Sequence, residues 1–171
     1  GAVFTLARFS EAFLVLRAAD GGLPLAWTPL VMAGMNLVYA LAAYPFGKLS
    51  DRIGHRELLA LGLVLLIGAD LTLAVSGHWH WVWAGISLWG LHMALTQGLL
   101  AALVADAAPA ALRGTAFGVF NLMTGVAELL ASVIAGLLWD TFGAAAMFLA
   151  GAAFTLVALA GMAWRPSPRP K

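Results

Sequence analysis

The chain has 171 residues, of which 63% are hydrophobic and only 10% charged, and its nine Lys and Arg against eight Asp and Glu leave a formal net charge of +1. Soluble domains run nearer half apolar and a quarter charged, and a domain this small buries only part of its surface. The composition therefore excludes an ordinary water-soluble fold and points to lipid as the solvent. The net charge says little about partners, nothing points to nucleic acid, and with no cysteine there is neither a disulfide nor a thiolate metal site.

A helix needs about 20 predominantly apolar residues to cross the hydrocarbon core. The first such stretch is predicted over residues 2–19. It begins at once, with no methionine and no basic leader ahead of it, which suggests a fragment or a processed chain. Arg8 and Glu11 lie three apart within it and share a helix face. They can pair and neutralise each other, or act as an anion site at Arg8 and a protonatable carboxylate at Glu11. Asp20-Gly21-Gly22-Leu23-Pro24 should end this span.

The second span is predicted over 26–46, where Asn36 and Tyr39, three apart, offer polar contacts to a cargo or to a neighbouring helix. Gly47 to Gly54 reads as a loop, and the third span, over 57–76, carries Asp70. After Ser76-Gly77-His78 comes the fourth, over 80–105. Trp79, Trp81 and Trp83 at its start suit an aromatic belt at the headgroups. His92, Thr96 and Gln97 lie farther in. A histidine there can accept a proton, bind a substrate or tie two helices together. No second histidine or carboxylate stands at ligand spacing, so neither a metal nor another cofactor is expected. Past Pro109, the fifth span (113–138) aligns Asn121, Thr124, Gly125 and Glu128 on one stripe. Glu128 is a candidate proton carrier, or a hydrogen-bonding group between helices. Gly143 marks the turn into the sixth span, 142–164, and the proline-rich tail 165–171 is too polar to continue it.

Six spans put the connections after spans two and four on the same side as both termini. Those segments hold Lys48, Arg52, Arg56, Arg113, Arg165, Arg169 and Lys171, against Arg17 alone on the other side. Seven against one places both termini in the cytoplasm of a multi-pass protein of the cell membrane.

Gly47-Lys48-Leu49-Ser50-Asp51-Arg52-Ile53-Gly54 and Gly136-Leu137-Leu138-Trp139-Asp140-Thr141-Phe142-Gly143 both fit G-x-L-x-D-x-x-G, and the same offset relates Gly62 to Gly151. One copy falls inside and the other outside, as inverted repeats require. The expected fold is an all-α membrane protein: a six-helix bundle over 1–164, built from inverted three-helix repeats at about 1–77 and 78–164, with 165–171 as a cytoplasmic tail.

Gly47, Leu49, Asp51, Arg52, Gly54 and Arg56 resemble the signature loop of the major facilitator superfamily, G-x-L-a-D-R-x-G-R-[KR], with departures at Ser50 and His55. Arg113-Gly114-Thr115-Ala116-Phe117-Gly118 resembles the entry to helix eleven in many members. The resemblance implies the C-terminal six-helix half of a secondary transporter that moves a small molecule by alternating access. It implies a cytoplasmic gating loop of Gly47, Asp51, Arg52, Gly54, Arg56 and Arg113, a first span that lines the central cavity, and a third span, with Asp70, that packs outside it. The substrate and proton pathway would then run past Arg8, Glu11, Asn36, Tyr39, His92, Gln97, Asn121 and Glu128. Expected partners are a small-molecule substrate, H+ as candidate coupling ion, the bilayer, and the missing six-helix half or a second copy. The family includes exporters and importers, and the sequence leaves efflux against uptake undecided. The alternative is a non-transporting six-helix module that homodimerises or is a structural fragment. No serine has a nucleophile context, so an enzyme is not expected.

Overall fold

A computed structural model describes residues 9–50 and 52–164. These are helical throughout apart from short connections, and no strand occurs among them. We label the helices α1 (Ala12–Asp20), α2 (Thr28–Ser50), α3 (His55–Val75), α4 (Trp79–Ala107) and α5 (Arg113–Trp164). Single 3-10 turns, Leu25–Trp27 and Ala110–Leu112, lead into α2 and α5. Four helical stretches are long and apolar enough to cross a membrane: α2, α3, α4 and Ala110–Met162.

Helix α5 is a hairpin. At 52 residues a straight helix would reach about 78 Å, more than twice the hydrocarbon thickness. Gly143 interrupts it with φ 84° and ψ 170°, a region essentially closed to residues with a Cβ. Beyond it the chain folds back. Ala131, Ala135 and Leu138 of the first arm face Met147, Ala150 and Gly151 of the second across a cavity of about 280 Å³, and the Trp139 and Phe148 rings lie 6.2 Å apart. The turn expected at Gly143 is thus present without a loop.

The other boundaries differ from the sequence reading in instructive places. Helix α2 runs through Gly47 to Ser50, so Gly47 is helical rather than part of a loop. The turn is confined to the residues before His55, with Arg52 and Ile53 both donating backbone bonds to the Leu49 carbonyl at 3.0 Å. Expected span one, 2–19, is helical only from Ala12 within the described residues. At its entry the Ser10 backbone N–H donates not to its own helix but to Ser132 Oγ on α5, at 3.1 Å.

Helix α3 is the hub, packed on α4 and α5, while α2 packs mainly on α4. Nearly half of α3 and α4 is buried. Their shared core contains Leu66, Leu73, Ile86, Trp89, Met147 and Phe148. In contrast α2 and the first arm of α5 turn long apolar rows outward, including Leu37, Leu41, Leu122, Val126, Leu129 and Val133. Such rows are unfavourable in water and natural against lipid or further helices.

Candidate functional site

The arginines clamp opposite ends of α3. Arg17, in the last turn of α1, donates from Nε to the Leu73 carbonyl (2.8 Å) and Ser76 Oγ (3.0 Å), and from Nη2 to the Ser76 carbonyl (2.6 Å). A longer contact, 3.4 Å, reaches the Ala74 carbonyl. The last carbonyls of a helix lack intrahelical partners and carry the negative end of its dipole. One planar guanidinium answers both needs. At the other end Arg56, in the first turn of α3, donates to the Met162 carbonyl near the end of α5. Each clamp ties α3 to a different helix.

The candidate pathway residues divide into three environments. Asn36 and Asn121 lie exposed on the outward faces of α2 and α5, whereas Glu128 is half-buried, one turn before the Ser132 that meets Ser10. Asn36 Nδ2 donates back to the Met32 carbonyl at 2.8 Å. Thr124, on the Glu128 stripe, donates to the Phe120 carbonyl at 2.9 Å. Tyr39 and Gln97 are half-buried, Tyr39 against the core cluster. Glu11 is half-buried where α1 begins.

His92 is fully buried. Its Nδ1 lies 2.7 Å from the Gly62 carbonyl, and Thr96, one turn on, sits where a Cβ on Gly62 would come within 2.5 Å. His92 and Gly62 therefore form a close polar seam between α3 and α4, away from the outward faces. Arg8 and Asp51 lie outside the described residues. Of the candidate gating loop, Arg52, Gly54 and Arg113 are exposed, and Lys48 Nζ stands 4.7 Å over the Tyr44 ring, a cation–π contact. No cluster among the described residues could hold a metal ion.

At the opposite rim, Trp27, Trp79 and Trp83 line a cavity of about 430 Å³ with Gly22, Leu23 and Pro24. Trp79 and Trp81 are about half exposed, which suits a belt at the headgroup level. Sequence reasoning missed the Arg17 clamp and the Ser10–Ser132 contact. Arg17 read only as an outer-side charge near the end of span one, because spacing within one helix cannot reveal a partner 59 residues away.

The Major Facilitator Superfamily profile matches residues 4–171. An uncharacterised MFS-type transporter of Methanocaldococcus jannaschii is 33% identical over 81% of this chain and 36% of its own length. One from Bacillus subtilis is 32% identical over 65% of this chain and 27% of its own. A protein of Clostridioides difficile named as a riboflavin transporter is 22% identical over 88% of this chain and 33% of its own. The chain spans about a third of the length of these relatives.

Proposed function

Since the chain belongs to the Major Facilitator Superfamily, we propose that this multi-pass membrane protein is one six-helix half of a secondary transporter and not an enzyme. It moves a small molecule by alternating access. The hairpin at Gly143 carries this reading. It divides α5 into two arms, each long enough to cross a membrane, which with α2 to α4 makes five spans among the described residues, and α1 is the described part of the proposed sixth.

The inverted repeat draws support from the same place. Both copies place a glycine where a new helix starts, Gly54 at φ −59° and ψ 147° and Gly143 at φ 84° and ψ 170°. The paired Gly62 and Gly151 are both close-contact points, Gly62 against Thr96 of α4 and Gly151 against Asp70 of α3 and Phe9 ahead of α1. A two-fold exchanging spans one and four, and three and six, would relate the Gly62–Thr96 contact to the Gly151–Phe9 contact. Both termini are cytoplasmic by the charge rule.

In this reading the polar groups Asn36, Asn121 and Glu128, with Arg8 and Glu11 of the first span, face the substrate path shared with the rest of the transporter. His92 supports the α3–α4 seam. Arg52, Arg56, Arg113 and Asp51 form the cytoplasmic gate, which must make its contacts in one state and release them in the other. Glu11 and Glu128 are the proton-pathway carboxylates. The test is uptake by proteoliposomes of the full-length protein, with and without a pH gradient, for riboflavin and a panel of small organic solutes. Asp51→Asn should insert normally and lower uptake. Full pH-driven accumulation in both Glu11→Gln and Glu128→Gln would overturn the proton pathway, and no uptake of any solute would overturn the transporter reading.

A further inference from the structure

Asp70 is the fully buried carboxylate of α3, and neither Oδ1 nor Oδ2 has a hydrogen-bond partner among the described residues. It does not face the outward surfaces that carry the pathway residues. It points at Gly151 on the last arm of α5, where an added Cβ would lie 2.9 Å from Oδ2 and 3.0 Å from the Phe9 ring. The carboxyl abuts that backbone directly, so no counter-ion or water fits between the two while the contact is closed. Its neighbours along α3, Leu66, Ala69 and Leu73, belong to the apolar core, as do Met147 and Phe148 opposite.

Among the described residues, the cationic groups on the surrounding elements are committed elsewhere or absent. Arg17 of α1 is seated on the Leu73 and Ser76 carbonyls. His92 of α4 is bonded to the Gly62 carbonyl, two turns back along α3. The last arm of α5 has no ionisable residue over 144–164. Arg8 lies outside the described residues. An ionised carboxylate without partner or water is strongly disfavoured.

We propose that Asp70 is a proton-binding site whose ionisation and whose contact with Gly151 exclude one another. With the proton bound, the neutral carboxyl packs and α3 closes on the last arm. When the O–H bond breaks and the proton passes to water, the charge needs hydration, and the two helices must part to admit it. Proton occupancy thus selects between two packings. The site is distinct from Glu11 and Glu128. Its use in coupling rests on the transporter reading, whereas the proton site itself does not.

The test uses purified full-length protein. At neutral pH the infrared difference between wild type and Asp70→Asn should show the carbonyl stretch of a protonated carboxyl, lost in the variant. Ionised-carboxylate bands in its place would overturn the proposal. Hydrogen exchange gives a second reading. Relative to the rest of the protein, peptides over 144–160 should exchange faster at alkaline pH in wild type and show no such rise in Asp70→Asn. The same pH dependence in both proteins would also overturn it. Gly151→Ala, which prises the contact apart, should shift the Asp70 band towards the ionised form, and an unchanged band would count against the exclusion. Absence of solute uptake by wild-type vesicles would sink the transporter reading and leave the infrared assignment standing.

Discussion

Replacing Arg17 by alanine removes the clamp at the end of α3. Three short bonds are lost, at 2.6, 2.8 and 3.0 Å. A hydrogen bond to a charged group contributes about 1.5–3 kcal/mol, but Arg17 is half-buried, so solvent screening reduces each share. Ser76 Oγ retains its own bond to the Leu73 carbonyl at 2.8 Å, which limits the damage at that position. The Ser76 carbonyl has no such reserve. A net loss of about 2–3 kcal/mol follows, and for a chain of this length each kcal/mol shifts the melting temperature by roughly 2–4 °C. Arg17→Ala should therefore melt about 4–12 °C lower than wild type in detergent, followed by tryptophan fluorescence. Arg17→Lys keeps the charge near the helix end but not the planar fork, and should fall between the two. A melting temperature for Arg17→Ala equal to wild type would refute the clamp as a stabilising contact.

Gly143→Ala forces a Cβ into backbone at φ 84° and should cost about 1–3 kcal/mol, read as a lower melting temperature; an unchanged one would mean that the turn is not strained. Arg56→Ala should release the end of α5 and raise protease access near Met162 without affecting the Arg17 end. Trp79 and Trp81 should be quenched more strongly by lipids brominated near the headgroup than near the acyl terminus. The reverse order would place the start of α4 at the wrong depth.

Spans two to four were legible in the sequence because a run of apolar residues is itself the physical requirement for crossing lipid. Gly143 was legible as well, since turn chemistry interrupts such a run. Gly47 was misread as loop because glycine permits a turn without imposing one, and α2 still had backbone partners as far as Ser50. The partners of Arg17, Arg56 and Ser132 were not legible. Each contact joins segments far apart in the chain, and no periodicity within a single helix encodes them. Asp70 was visible as an intramembrane carboxylate and expected to pack, yet its specific neighbour, Gly151, emerges only once the last arm has folded back.

The two arginine clamps give α3 a mechanical character. Its first turn is fastened to the end of α5 and its last carbonyls to the end of α1. A rod pinned at both ends to different neighbours acts as a lever: rocking it about its middle drives the two attachment points in opposite directions. If α3 rocked, the ends of α1 and α5 fastened to it would move in antiphase, and a displacement at one end of α3 would reach the other with reversed sense.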